Sequence, residues 1–501
     1  MASKNDPLRQ AIAYHRAGKT KQAESIYRKL VRRQPEAPDP YHLLGCIELG
    51  RKHYVSAVDS IKRAIALAPT ISIYHENLAE AYRRSGDLPS AKMECNLALR
   101  FDPKSHAATN RLGIIALKEG ELETALDYFQ KALELKPGYG EALVNLGSAL
   151  CRLGNFKLAK DVCDLATELD PNNLLAWNNL GLAYKGMGRL GEASQAFSKA
   201  QKLPMARYNQ GYIAMLRQEV SVGLPLLEER KQLLDLQTPR RGREWNGHPK
   251  PKKQLLVIHE QGMGDSLLMS QFLPQLQAQF SKIIYAVQAP LQRVIQSSFP
   301  DVEVVTDWTD VKCDFWCSAM SLPYRLGLDL PPAPSKAWIK NGPGRRAGPR
   351  LQAGINWAGN PKYLTDRSRS TSLDTFRALL EIEGVDWVSL NKGPREDEAQ
   401  DFNLPEPLRE AKDFSDTAAV VSQLDLVVST ETSVPNLSGA MGVPTLVLGA
   451  VDHDWRWYGW FPNVQVCAQD TPGDWEGVVK KAAKEIAAHR DRASSGELKA
   501  A

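Results

Sequence analysis

Two short stretches of this chain set a carboxylate where a strand hands over to a helix. The first, LLVIHEQGMGDSLLMSQFLPQL (255–276), runs from an apolar segment through Gly262 and Gly264 to Asp265, at the start of an amphipathic helix. The glycines let the backbone turn sharply and bring a neighbour close. The positive end of the helix dipole favours an ionised carboxylate. Asp265 therefore reads either as a helix cap or as a carboxylate base aimed into a cleft. A dinucleotide fingerprint is excluded: GMGDSL has no third glycine, and no acidic residue stands on a second strand at the usual distance.

The second stretch is DLVVSTETSVPNLSGAMGVPTLVLG (425–449). A buried strand ends at Thr430. Glu431, Thr432 and Ser433 then open a helix of small residues that stops at Gly442, with Pro435 in the first turn, where it costs no hydrogen bond. Free backbone N–H groups at 432–434 suit a phosphate. Just upstream, INWAGNPKYLTDRSRST (355–371) gathers Asn360, Lys362, Arg367 and Arg369 on one post-strand loop. Clustered cations suit a diphosphate, although any one of them equally suits a solvated loop.

These side chains need a scaffold, and the surrounding pattern supplies it. LLVIH, KIIYAV, VEVVT and FWCSA alternate with helical segments, and after the breaker-rich NGPGRRAGPR (341–350) the alternation restarts with LQAGINWA, DWVSL, DLVVST and PTLVLG. Such alternation predicts parallel sheets, here two Rossmann-like domains facing each other across a cleft. Ligands of open parallel sheets lie beyond the carboxyl ends of the strands, where both motifs fall. The Pro-, Gly- and Arg/Lys-rich LQTPRRGREWNGHPKPKKQ (236–254) reads as a linker or docking strap.

The first two hundred residues are different. Pro35, Pro69, Pro103, Pro137 and Pro171 recur at a fixed step. So do Leu44, Leu78, Leu112, Leu146 and Leu180, each followed by glycine or alanine, and two series of alanines that begin at Ala23 and Ala64. Gly86, Gly120, Gly154 and Gly188 mark a turn in mid-repeat. The period and residue set resemble the tetratricopeptide repeat, a helical hairpin that stacks into a superhelix. About six repeats are expected over 1–207, with capping helices and linker over 208–253. Asn77, Asn145 and Asn179 share one repeat position with Arg111. On a concave face their side chains suit the backbone of an extended polypeptide acceptor; at helix junctions they would bond the repeats to one another.

Bulk properties narrow the function classes. The 501 residues are 43% hydrophobic and 24% charged, so several domains are expected. A net charge of +5 is too mild to argue a nucleic-acid partner, and no apolar run is long enough to span a membrane. The start, MASKNDPLRQ, lacks an apolar core, so neither signal peptide nor anchor is expected. Seven scattered cysteines point to a reducing compartment, with the cytoplasm the default. Cys313 and Cys317 lack neighbours that would complete a metal site, so no metal is expected.

Taken together, EQGMGD, WAGNPKY with DRSRS, DFSDTAAVVSQLDLVVSTETSVPNLSGAMGVP and DWRWY resemble the bacterial tetratricopeptide-coupled glycosyltransferases, whose catalytic part is similar to heptosyltransferase-type GT-B enzymes. The resemblance implies a helical superhelix followed by two facing α/β domains, at 254–340 and 341–488, and a tail at 489–501. It also implies a cytoplasmic, metal-independent, inverting enzyme with no cofactor and a nucleotide-sugar as co-substrate. Asp265 corresponds to the proposed general base. Lys362, with Asn360, Arg367, Thr432, Ser433 and Asn436, would hold the donor diphosphate, while Gly262, Gly264, Glu431, Asp416 and Thr417 would frame the donor pocket. The acceptor would be a Ser or Thr hydroxyl on a protein held by the repeats; a bacterial surface protein such as flagellin fits that architecture. Where relatives read Asp-Thr-small-x-x-His, this chain has Glu431 to Asn436, with an amide in place of the imidazole. That departure favours an alternative, a catalytically degenerate interaction scaffold; a further alternative keeps the chemistry but directs the transferase at glycans.

Overall fold

Small residues at one helix position set the packing of the helical part. A Cβ placed on Gly45 would lie 2.5 Å from Ile61 Cγ1, and one on Gly113 would lie 2.5 Å from the Phe129 ring. At Gly147 it would strike Cys163 Sγ. In each pair the first helix can approach the second only because no side chain intervenes. The computed structural model describes residues 6–234, 236–332, 336–340, 342–344, 348, 350–361, 366–393, 395–451 and 453–494. It divides into two units, 1–180 and 181–501.

In the first unit, paired helices run from Pro7–Arg16 and Thr20–Arg33 to Gly140–Arg152 and Phe156–Leu169. Gly86, Gly120 and Gly154 turn the chain between partners in the left-handed region, with φ of 93°, 85° and 79°. Lys52 occupies the same place in an earlier pair and adopts φ 66° without being glycine. The recurrent prolines follow the C-caps of the second helices, such as Ala68 and Asp102, where the helix has already ended.

The second unit begins with the end of the helix Leu174–Gly186 and continues through Leu190–Lys199, Pro204–Leu216, Val220–Leu227 and Arg230–Leu233. Two five-stranded parallel sheets follow. The first holds β1 (Arg243–Glu244), β2 (Lys250–Ile258), β3 (Phe280–Ala286), β4 (Glu303–Val305) and β5 (Phe315–Ser318), in the order β1-β5-β2-β3-β4. The second holds β6 (Leu351–Asn356), β7 (Val385–Ser389), β8 (Leu426–Thr430), β9 (Thr445–Gly449) and β10 (Val464–Ala468), in the order β10-β9-β8-β6-β7. Strand order reverses around β2 in one sheet and around β6 in the other, and crevices open at such reversals.

One buried cluster joins the helical segment (Met215, Leu224), the first sheet (Leu255, Tyr285) and the inner side of the second (Val427, Leu437, Trp460). The other side of the second sheet packs Ile355, Val428 and Leu448 against Val478, Ala482 and Ile486 of the last helix, Trp475–Ser494. Arg230 fixes the helical segment to the loop after β2. Its guanidinium donates to both carboxylate oxygens of Glu260 at 2.9 Å, to Glu228 at 2.7 Å and to Ser321 at 2.8 Å. At 3% exposure this cation relies on those partners to offset its lost hydration.

Candidate functional site

A cavity of about 690 Å³ lies at the carboxyl ends of the strands. Gly262, Gly264 and Asp265 line it from the loop and helix after β2. Asn360 and Arg369 line it from the segment after β6, and Glu431, Thr432, Ser433 and Asn436 from the segment after β8. Thr417 lines it from the helix Phe414–Val421. The two glycine–carboxylate motifs thus share one space and touch: a Cβ on Gly264 would lie 2.6 Å from Asn436 Nδ2. Lys362 lies outside the described residues. Arg367 falls in the short helix Asp366–Arg369, with its side chain outside the description.

Asp265 caps and pairs at once. Its Oδ2 accepts from the Gly262 N–H at 2.8 Å, closing the first turn of the helix Met263–Met269. Its Oδ1 forms an ion pair with Nη1 of Arg456, without the alignment of a hydrogen bond. Burial at 6% exposure pushes the Asp265 carboxyl above its ordinary range, the Arg456 cation opposes the shift, and Asp454 adds to it. Arg456 sits in the turn Trp455–Trp457 after β9, its Nε 3.3 Å from Asp454. That turn is anchored by Glu431, whose Oε1 accepts from the Asp454 N–H at 2.7 Å and from Trp457 Nε1 at 2.8 Å.

The helix Ser433–Ala440 differs from the open phosphate seat expected at 432–434. Thr432 is its N-cap and takes the Val434 N–H at 3.3 Å, so part of that seat is already filled by the chain. Asn436 Nδ2 donates to the Thr432 carbonyl at 3.0 Å, while Oδ1 is buried without a hydrogen-bond partner among the described residues. Asp416, expected in the donor pocket, is not among the lining residues. It accepts from the Lys412 N–H at 2.8 Å and pairs with Arg293 at 3.6 Å, because its place in the first turn of Phe414–Val421 turns it toward the helix Gln292–Ser298.

Sequence reasoning passed over several cavity residues. Arg456 stands inside DWRWY, where nothing local marks it as a partner of Asp265. Lys392 follows β7 and donates to the carbonyls of Leu408, Arg409 and Ala411. Lys185 and Tyr212 reach the cavity from helices that precede the sheets, with the ammonium 4.5 Å from the ring centroid. A repeat-like pattern carries no sign that its last helices would line a ligand space.

The asparagine positions of the first unit stitch successive repeats together. Asn77 donates to His42 Nε2 at 2.7 Å, Asn145 to Asn110 Oδ1 at 3.1 Å, and Asn179 to the Val144 carbonyl at 3.0 Å. Arg111 faces Glu76 and Glu80, each at 3.6 Å. The junction role open from the sequence is therefore occupied in this structure.

Among the described residues no group of three His, Cys, Asp or Glu side chains is placed to hold a metal ion, and no helix is long and apolar enough to cross a membrane. Residues 8–70 and 77–140 match one tetratricopeptide-repeat family, 116–180 a second and 174–204 a third. The chain is 25% identical over 299 residues to Protein FlbA of Caulobacter vibrioides, across 51% of this chain and 49% of that protein. It is 33% identical over 87 residues to the heat-shock cognate co-chaperone sgt12 of Aspergillus fumigatus, across 17% of this chain and 26% of that one. The chain thus matches about half or less of the length of these relatives. A solved likeness is the Cut9–Hcn1 hetero-tetramer of APC/C, with TM-score 0.42 and 17% identity, covering 45% of this chain and 46% of that one. The N-terminal part is an array of tetratricopeptide repeats, followed by a region with two parallel sheets.

Proposed function

We propose that this chain is a protein-interaction protein whose repeats hold a polypeptide partner and whose α/β region takes a nucleotide-sugar and moves its sugar to a hydroxyl of that partner. The interaction half draws support from the repeat matches. The transfer half rests on one observation: Asp265 and the helix after Thr432 open onto the same cavity at the carboxyl ends of two parallel sheets. At about 690 Å³ it has the size of a small-ligand site.

In this reading the acceptor oxygen attacks the anomeric carbon as Asp265 takes its proton, and the bond to the diphosphate breaks with inversion. Arg369, with Lys362 and Arg367 as the sequence places them, would meet the charge developing on the leaving group. Asn436 Oδ1, a buried acceptor without a hydrogen-bond partner among the described residues, suits a hydroxyl or N–H of the donor. A second reading, an interaction scaffold without turnover, is favoured by the amide at Asn436.

Incubating the protein with a panel of nucleotide-sugars, and weighing polypeptides that co-purify with it, tests both readings. Sugar consumption with a mass shift on a bound polypeptide, both lost in Asp265→Asn, supports transfer. Binding without turnover supports the scaffold. If no nucleotide-sugar binds, only the role of the repeats stands.

A further inference from the structure

Arg456 lies in the turn after β9 of the second sheet and Asp265 in the helix after β2 of the first, and both line the cavity. The arginine is held from behind: Asp454 takes its backbone N–H at 3.0 Å and faces its Nε, while Glu431 clamps the turn through Asp454 and Trp457. The aspartate is held by the Gly262 N–H. Each partner is therefore fixed within its own sheet region, and their ion pair joins the two regions inside the cavity, as Arg293 with Asp413 and Asp416 joins them elsewhere. Among the described residues, Asp454, Glu260 on the loop after β2, Tyr285 of β3 and Tyr208 of the helix Pro204–Leu216 also act on Asp265, while Lys185, Lys392, Lys412 and Arg369 line the same cavity. Among the described residues, Arg456 is the cation in ion-pair contact with Asp265.

We propose that Arg456 is the positioning residue for Asp265, holding the carboxylate as an anion within a space that would otherwise neutralise it. This rests on the reading of Asp265 as the base of the proposed transfer. A buried carboxylate without a counter-ion takes up a proton rather than remain charged, and a protonated Asp265 cannot accept one from a hydroxyl. Arg456 allows the site to exclude water while keeping its base, and the two sheets must both be in place for that to hold.

The test uses the full chain and the variants Arg456→Gln, Arg456→Lys, Asp265→Asn and the double Arg456→Gln/Asp265→Asn. Thermal unfolding is followed at about pH 5 and about pH 8, on either side of the range in which a buried carboxylate titrates. Removing Arg456 should lower the unfolding temperature more at the higher pH, where Asp265 must be charged in the unfolded chain but not in the folded one. Adding Asp265→Asn should recover most of that loss, and Arg456→Lys should lose less than the glutamine variant. Where nucleotide-sugar turnover is measurable, the acid limb of the Arg456→Gln profile should move to higher pH, with at least a tenfold larger loss at the low end than at the high end. Equal loss at both pH values with no recovery in the double variant would overturn the proposal whether or not any sugar is turned over. Absence of turnover with the stability pattern intact would instead sink the transfer reading and leave the pairing.

Discussion

Substituting Gly264 with alanine tests whether the two motifs face each other as described. The new Cβ would sit 2.6 Å from Asn436 Nδ2 and 2.9 Å from its Cγ, well inside ordinary contact. The backbone of Gly264 cannot retreat easily, because it lies in the first turn of the Met263–Met269 helix. Asn436 must yield instead, and it is 5% exposed and tied to the Thr432 carbonyl at 3.0 Å. Overpacking of this kind costs about 1–3 kcal/mol, and losing the amide hydrogen bond adds about 1 kcal/mol. The expected loss is about 2–4 kcal/mol from these two terms. Denaturant unfolding reports it as a lower midpoint with an unchanged slope. Asn436→Ala removes the group that is struck, so in that background Gly264→Ala should cost less, with a coupling of about 1–3 kcal/mol. A Gly264→Ala cost below about 0.5 kcal/mol, within the range of ordinary surface substitutions, would refute the close approach. So would a full cost that persists beside Asn436→Ala.

Two further outcomes follow from the repeats. Burial pushes His42 down to about 4 from an ordinary value of 6.5, so the folded chain binds this proton later than the unfolded one. Its contribution is present above about pH 6.5 and falls away toward pH 4, by at most about 3 kcal/mol; the difference in stability between the wild-type chain and His42→Gln should shrink over that interval. Gly113→Ala, with its Cβ 2.5 Å from Phe129, should cost about 1–3 kcal/mol, and Phe129→Leu in the same chain should return part of it, as read from thermal unfolding.

What the sequence reveals here depends on whether the deciding contacts are local. Proline after each second helix and glycine between partners are conformational requirements of the backbone, so their period predicts the hairpins directly. The apolar runs at 255–258 and 426–430 predict buried strands for the same reason. β1 was hidden because only Arg243 and Glu244 pair, within a stretch whose composition reads as linker. β10 was hidden because its Val464 and Val466 alternate with Gln465 in a short edge strand. Asp265 and Asn436 could be singled out from their positions after strands, but Arg456 could not, since its partner lies in the other sheet. The asparagine series shows the limit from the other side: a strict period marks a shared environment, and the environment here includes the preceding repeat.

The fork between Arg230 and Glu260 bears on where this molecule could be cut. A fragment that kept both sheets but started after Leu233 would leave Glu260 and Ser321 arranged around a missing guanidinium. It would also bare the apolar surface now covered by Met215, Leu224 and Leu227. The last helices are therefore foundations of the sheets as much as the final turns of a spiral, and exchange of repeat arrays between relatives would have to leave them behind.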